Sequence, residues 1–225
     1  MANNIEAVIF DLDGTLIDSA ADLQRALNFT LAEFGRETLA LTAVRSMIGE
    51  GITMLVKRGF EATGVIPNPN ELEEAVTRFI HHYDQGLLVH TKLYPGVQKT
   101  LKTLLENDRL LGVCTNKTYN QSVAILEGLK ISGLFEVVTG GDTTDRRKPD
   151  PKPLMRTLEK MEATPATAIF VGDSDIDVET ATSAGTLSIL VAYGYSNVDI
   201  KSLGATHVID DFSVIPQIIR ELEAD

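Results

Sequence analysis

Several patterns that would place a protein outside the cytoplasm are missing from this sequence. Its 225 residues include one cysteine, Cys114, so no internal disulfide can form, and disulfides are typical of oxidising compartments. No apolar run approaches the ~18 residues of a transmembrane helix. The first residues also lack the basic segment and apolar stretch of a secretory signal. We therefore expect a cytoplasmic protein with no membrane partner.

Basic residues and glycine-rich phosphate loops are scarce as well. The 20 Lys and Arg are outnumbered by 32 Asp and Glu, which gives a net charge of −12. A nucleic-acid-binding protein normally shows a basic surface, so we expect no nucleic-acid partner. Neither Gly-x-Gly-x-x-Gly nor Gly-x-x-x-x-Gly-Lys-Ser/Thr occurs in the chain. Their absence argues against a dinucleotide-binding enzyme.

The most informative segment that is present lies near the N-terminus. The apolar run 7–10, Ala-Val-Ile-Phe, is followed by Asp11, Asp13 and Gly14. Such a run is typical of a buried strand in a parallel sheet, where ligands bind beyond the carboxyl ends of the strands. Two carboxylates ~4 Å apart at an effective dielectric of ~20 would repel by roughly 4 kcal/mol. Unless this segment is a simple Asp-Gly turn, the pair needs a cation, a proton or both.

The remainder of the chain divides into two kinds of sequence. Residues 16–93, the helical segment, contain four apolar patterns at helical spacing, and Ser19 with Asp22 fits a capping box at its start. From Tyr94-Pro95-Gly96 onward, apolar strands alternate with helical patterns, which predicts βαβ units and a parallel sheet. We therefore predict an α/β protein in which residues 1–15 and 94–225 form a core and residues 16–93 an inserted helical domain.

Polar residues follow four successive strands of the predicted sheet. Carboxylates from two strand ends suit a hard divalent cation such as Mg²⁺, a lysine and a hydroxyl suit phosphate oxygens, and a carboxylate can attack phosphorus. Singly, each residue could equally be a turn, a helix cap or a solvated side chain. Together they indicate metal-assisted phosphoryl transfer. The residues concerned are Asp11, Asp13, Thr115, Asn116, Lys148, Asp173 and Asp177.

Taken in order, these segments resemble the four motifs of the haloacid dehalogenase superfamily of phosphatases. The motifs are Asp11-Leu12-Asp13-Gly14-Thr15, Thr115-Asn116, Lys148-Pro149 and Gly172-Asp173-x-x-x-Asp177. The resemblance covers nearly the whole chain. It implies a Rossmann-like parallel sheet with strand order 5-4-1-2-3 and identifies the helical segment as an all-helical cap.

The resemblance also implies a role for each motif residue. Asp11 would be the nucleophile and a Mg²⁺ ligand. Asp13 would protonate the leaving alcohol, then activate the water that hydrolyses the aspartyl phosphate, and lend its backbone carbonyl to the metal. Thr115 and Lys148 would hold the phosphoryl oxygens, with Asn116 assisting through its amide. Family members that dehalogenate carbon substrates have no acid/base aspartate at the position of Asp13, so the chain looks like a phosphatase.

Two further carboxylates complete the implied site. Asp173 would be the second metal carboxylate, and Asp177 would orient Lys148 or a water on the metal. Softer matches resemble the phosphoglycolate phosphatases of the superfamily, among them Tyr94-Pro95-Gly96-Val97. The expected partner is therefore a small phosphorylated metabolite. Sugar-phosphate phosphatases, pyrophosphatases and a hexose-phosphate mutase share this architecture and remain alternatives, and the oligomeric state is open.

An alternative of another class is a phospho-accepting receiver module, which also uses strand-end aspartates, a threonine and a lysine. The early Asp-x-Asp pair and the long helical segment argue against it. Within that segment, the loop 49–51, Gly-Glu-Gly, and the adjacent bases Lys57 and Arg58 could contact the leaving group. They could equally be a hinge and a solvated face, and for the two bases we favour the solvated face.

Overall fold

The computed structural model describes residues 4–224. The strands are β1 (Ala7–Phe10), β2 (Ile17–Asp18), β3 (Lys92–Leu93), β4 (Leu110–Cys114), β5 (Val137–Thr139), β6 (Ala168–Gly172), β7 (Leu187–Val191) and β8 (His207–Ile209). The α-helices are α1 (Ala20–Glu33), α2 (Leu41–Arg45), α3 (Ile52–Thr63), α4 (Pro69–Asp84), α5 (Val97–Glu106), α6 (Tyr119–Gly128), α7 (Lys152–Lys160), α8 (Asp175–Ala184) and α9 (Ile215–Ala224). The predicted mixed α/β class is confirmed.

Six of these strands form one parallel sheet in the order β5-β4-β1-β6-β7-β8. Counting only these strands along the chain, the order is 3-2-1-4-5-6. The five strands expected from the resemblance thus have the order 5-4-1-2-3, and a sixth extends the edge beyond the fifth. β1 lies at the centre, hydrogen-bonded to β4 and β6. The residues that follow β1, β4 and β6 therefore meet at one edge of the sheet.

Both faces of the sheet are covered, which explains why its strands are apolar without alternation. Side chains along a strand point alternately to opposite faces. In β1, Val8 and Phe10 belong to the larger hydrophobic cluster, which includes side chains of α5 and α9. Ala7 and Ile9 belong to a smaller cluster built largely from α7 and its neighbours. All four side chains are fully buried, so the central strand is fixed between two packed layers.

The helical segment contains α1 to α4, and α1 packs against each of the other three. At its two ends, β2 and β3 form an antiparallel pair in which Ile17 lies opposite Leu93. These two-residue strands were not predicted. The expected capping box is wrong, because the Ser19 side chain makes no capping bond to α1. Asp22 instead accepts hydrogen bonds from the backbone of His90 and Thr91, at 2.9 and 2.8 Å.

The length and composition of the helices can be compared with those of a membrane-spanning helix. Across residues 4–224, no helix combines the length and the apolar composition that a bilayer span requires.

Candidate active site

All seven residues singled out in the sequence line one pocket, at the carboxyl edge of β1, β4 and β6. The residues from the sheet side are Asp11, Asp13, Thr115, Asn116, Lys148, Asp173 and Asp177. Other lining residues come from the helical segment, among them the loop 49–51. The parallel sheet thus brings together residues that lie up to 166 positions apart in the chain (177 − 11), and the helical segment faces them.

Lys148 connects two of the carboxylates. Its Nζ donates to Asp11 Oδ1 at 2.8 Å and to Asp177 Oδ1 at 2.6 Å. Burial alone would lower the pKa of Lys148, but Asp11 and Asp177 raise it above its ordinary value. Lys148 is therefore a fixed positive charge at the end of β1, with one ammonium hydrogen left for another acceptor.

Asp177 has both carboxylate oxygens engaged. Oδ1 accepts from Lys148, while Oδ2 accepts from the backbone of Asp173 and Ser174 at 3.0 and 3.1 Å. The Ser174 hydroxyl donates to the same Oδ2 at 2.8 Å. A carboxylate at a helix N-terminus is stabilised by the unpaired backbone N–H groups there. Asp177 thus fixes both the start of α8 and the position of Lys148.

Asp173 is enclosed by the chain on several sides. Its Oδ1 accepts from the Thr15 hydroxyl at 3.3 Å and its Oδ2 from the backbone N–H of Tyr195 at 2.6 Å. Two glycines leave room for it: a Cβ on Gly14 would lie 2.4 Å from Asp173 Oδ2, and one on Gly194 would lie 2.2 Å from Asp173 Cβ. Gly14 also has a φ of +90°, a conformation that favours glycine.

These carboxylates form a group that fits a divalent cation. One oxygen each of Asp11, Asp173 and Asp177 lies within 4.8 Å of the others, and all three residues are buried. Burial raises the pKa of Asp11 to about 6 despite the opposing effect of Lys148. Burial, together with Asp177 and Asp11, also raises the pKa of Asp173. A hard cation would offset this cost, and oxygen donors are its preferred ligands.

Asp13 has partners that the sequence reasoning missed. Lys117 Nζ lies 3.1 and 2.9 Å from its two carboxylate oxygens, and the Ser19 hydroxyl donates to Oδ1. Lys117 is buried, and its ammonium group lies 4.7 Å from the ring centroid of Tyr83 in α4. Its place directly after Thr115-Asn116 was the available signal in the sequence. Asp13 is thus held by a cation from the sheet and a hydroxyl from the chain entering the helical segment.

Thr115 and Asn116 follow β4 directly. The Thr115 hydroxyl oxygen accepts from the backbone N–H of Lys117 at 3.3 Å. The Asn116 amide donates to the carbonyl oxygens of Gly49 and Lys148, each at 3.0 Å, while its buried Oδ1 finds no partner among residues 4–224. Asn116 therefore connects the helical segment to the loop that carries Lys148.

Comparison with known proteins accounts for this arrangement. The family model of the haloacid dehalogenase-like hydrolases matches residues 8–191. The chain belongs to this family. A phosphoglycolate phosphatase from Rhodospirillum rubrum is 43% identical over 213 residues, which cover 92% of this chain and 88% of the relative. One from Nitrosospira multiformis is 38% identical over 221 residues, covering 96% of each chain.

A solved structure supports the same assignment for this haloacid dehalogenase-like hydrolase. A protein described as a predicted phosphoglycolate phosphatase from Haemophilus somnus 129PT superposes with a TM-score of 0.91 at 30% identity. The match covers 95% of this chain and 97% of the other. The prediction of a phosphatase enzyme of this superfamily is confirmed.

The two adjacent bases of the helical segment have different surroundings in this hydrolase. Lys57 pairs with Glu61 at 3.7 Å on the same helix and is absent from the pocket lining, which fits a solvated face. Arg58 lines the pocket with Glu50, to which it is paired. Our preference for a solvated face therefore does not describe the surroundings of Arg58.

Proposed function

We propose that this hydrolase is a Mg²⁺-dependent phosphomonoester phosphatase that forms an aspartyl phosphate on Asp11, with 2-phosphoglycolate as its substrate. Residues 1–15 and 94–225 would be the catalytic core and residues 16–93 the cap. The observation that carries the proposal is the position of Asp11. Its carboxylate lies at the end of the central strand, buried, beside Asp173 and hydrogen-bonded to Lys148.

In the first step Asp11 attacks phosphorus and the bond from phosphorus to the leaving alcohol oxygen breaks. Lys148 holds Oδ1 of Asp11, which leaves Oδ2 as the attacking atom. The remaining ammonium hydrogen of Lys148 and the hydroxyl of Thr115 stabilise charge on the phosphoryl oxygens. Asp13 must enter this step protonated, and it gives that proton to the leaving alcohol oxygen. This step produces the alcohol and an aspartyl phosphate.

In the second step the aspartyl phosphate is hydrolysed. Asp13, now a carboxylate, takes a proton from water while the water oxygen attacks phosphorus. The bond between phosphorus and Asp11 breaks, which releases inorganic phosphate and restores the Asp11 carboxylate. Lys117 and the Ser19 hydroxyl keep Asp13 in place between the two steps.

Asp11, Asp173 and the backbone carbonyl of Asp13 would hold the Mg²⁺ ion. When bound, it neutralises negative charge on the phosphoryl group and orients it for attack. Asp177 accepts from Lys148 and from the backbone at the start of α8, and its proposed role is to fix Lys148 and the loop of Asp173.

The substrate is proposed from the relatives, which are named phosphoglycolate phosphatases. This chain matches them over 88% and 96% of their length. A screen of phosphate release with Mg²⁺ tests it, using 2-phosphoglycolate, glucose 6-phosphate, glucose 1-phosphate and pyrophosphate. We expect the highest kcat/KM for 2-phosphoglycolate, no activity in EDTA, and recovery on addition of Mg²⁺. A preference for a sugar phosphate or for pyrophosphate would contradict the proposed substrate but leave the proposed phosphatase activity standing. Full activity in EDTA would contradict the proposed dependence on Mg²⁺.

A further inference from the structure

Three basic side chains line the pocket, and two of them are committed to the carboxylates at the sheet edge. Lys148 bonds Asp11 and Asp177, and Lys117 bonds Asp13. The third, Arg58, comes from α3 of the helical segment. A substrate that carries a second anionic group besides its phosphate therefore meets one further cation among the described residues of this pocket.

The contacts of Arg58 show what kind of group it accepts. One guanidinium nitrogen pairs with the Glu50 carboxylate, and another donates to the carbonyl oxygen of Met47 at 3.0 Å. The Glu50 side chain is 42% exposed and that of Arg58 30% exposed, so a ligand in the pocket can replace the Glu50 carboxylate. A planar guanidinium matches the geometry of a carboxylate, which it binds through two parallel hydrogen bonds.

The loop that carries Glu50 is tied to the sheet edge. The Asn116 amide donates to the carbonyl oxygen of Gly49, and the same amide donates to that of Lys148. On the other side, the Asn197 amide donates to the carbonyl oxygen of Ser46 at 3.0 Å. These bonds hold the segment 46–50, which Arg58 contacts through Met47 and Glu50, against the sheet edge.

We infer that Arg58 is a specificity-determining residue that binds a carboxylate of the substrate and exchanges its contact with Glu50 for that carboxylate. The preferred substrates are then small phosphomonoesters that also carry a carboxylate. This inference rests on the proposed function and extends it to the residue that selects the substrate. Lys57, the residue before Arg58, has no such role because it lies outside the pocket lining.

The test compares 2-phosphoglycolate with ethyl phosphate, which is of similar size and lacks the carboxylate. We expect Arg58→Gln to lower the ratio of their kcat/KM values by about 10- to 100-fold, the range for a charged hydrogen bond. Arg58→Lys should recover part of the ratio because it keeps the charge without the fork. Lys57→Gln, the matched control, should leave the ratio within about twofold.

Glu50→Gln separates substrate binding from a structural role of the Arg58–Glu50 pair. It weakens that pair and keeps Arg58, so the inference predicts an unchanged or higher ratio. If Glu50→Gln lowers the ratio of the two kcat/KM values as much as Arg58→Gln does, the inference is overturned. The preference for 2-phosphoglycolate would then depend on the Arg58–Glu50 pair and not on a contact between Arg58 and the substrate.

Calorimetric binding to Asp11→Asn without metal, with and without Arg58→Gln, keeps this inference distinct from the proposed function. If 2-phosphoglycolate binds more tightly than ethyl phosphate and Arg58→Gln removes that difference, the inference is supported. This holds even if the wild-type enzyme hydrolyses neither ester, although such inactivity would refute the phosphatase mechanism. Equal affinity of the two esters, or a preference that survives Arg58→Gln, would overturn the inference even if both esters are hydrolysed.

Discussion

The ammonium group of Lys117 contacts both carboxylate oxygens of Asp13, at 3.1 and 2.9 Å, across 104 positions of the sequence. The Lys117 side chain is 3% exposed and that of Asp13 13% exposed. Removing one partner of such a pair leaves the other charge in a poorly solvated place. The Lys117–Asp13 pair therefore stabilises the folded protein as well as positioning Asp13.

Replacing Lys117 by Met should destabilise the protein by on the order of 3 kcal/mol, because Asp13 then keeps the Ser19 hydroxyl but no cation. Urea unfolding measures this loss. A double-mutant cycle with Asp13→Asn should give a coupling energy above about 1 kcal/mol. Lys57→Met is the matched control, since its pair with Glu61 is more than a third exposed on both sides, and it should change stability by less than about 0.5 kcal/mol. Equal effects of the two substitutions would contradict the account.

The affinity for Mg²⁺ should rise as the pH increases through about 6, because burial raises the pKa of Asp11 and that of Asp173. In the metal-free protein, burial raises the pKa of Asp11 to about 6 from an ordinary 3.8, so below that pH a proton must leave before the carboxylate can bind a cation. Calorimetry at pH 5.5 in buffers of different ionisation enthalpy should show more proton release than at pH 8. Asp11→Asn should lose most of the affinity, whereas Asp210→Asn, at an exposed position outside the pocket lining, should keep affinity and linkage. An affinity independent of pH between 5 and 8 would refute this coupling.

Replacing Gly194 by Ala should weaken Mg²⁺ binding by at least about tenfold, because the added Cβ would lie 2.2 Å from Asp173 Cβ and must displace it. Overpacking of this kind costs about 1–3 kcal/mol. Gly133→Ala is the control, since a Cβ there would meet no atom of the described residues within 4 Å. Metal titration by calorimetry measures both variants. Unchanged affinity in Gly194→Ala would mean that the position of Asp173 does not determine metal binding.

The sheet and the gathering of the aspartates could be predicted because they follow from short-range patterns. An apolar run ended by Asp11 and another ended by Gly172-Asp173 are recognisable as buried parallel strands, and parallel strands end at the same edge. Lys148 and Asp177 followed from motif spacing. The pairing of Lys148 with both Asp11 and Asp177 fits the positioning role that the resemblance implied for Asp177.

Other contacts depend on tertiary packing that no local pattern encodes. Ser19 and Asp22 have the spacing of a capping box, but Asp13 takes the serine hydroxyl, and the returning chain at His90 and Thr91 takes the aspartate. β2 and β3 have two residues each, too few to show a period. Arg58 and Lys57 are neighbours of the same charge, and the orientation of α3 against the pocket decides which one faces a ligand.

The most direct test of the central claim traps the phosphoryl group on Asp11. Rapid acid quench after mixing with ³²P-labelled 2-phosphoglycolate and Mg²⁺ should yield a protein-bound label that hydroxylamine removes, with peptide mapping placing it on Asp11. Asp13→Asn should retain this label longer, since it lacks the base for the second step, and Asp11→Asn should carry none. A label on another residue, or turnover by Asp11→Asn near the wild-type rate, would contradict the account.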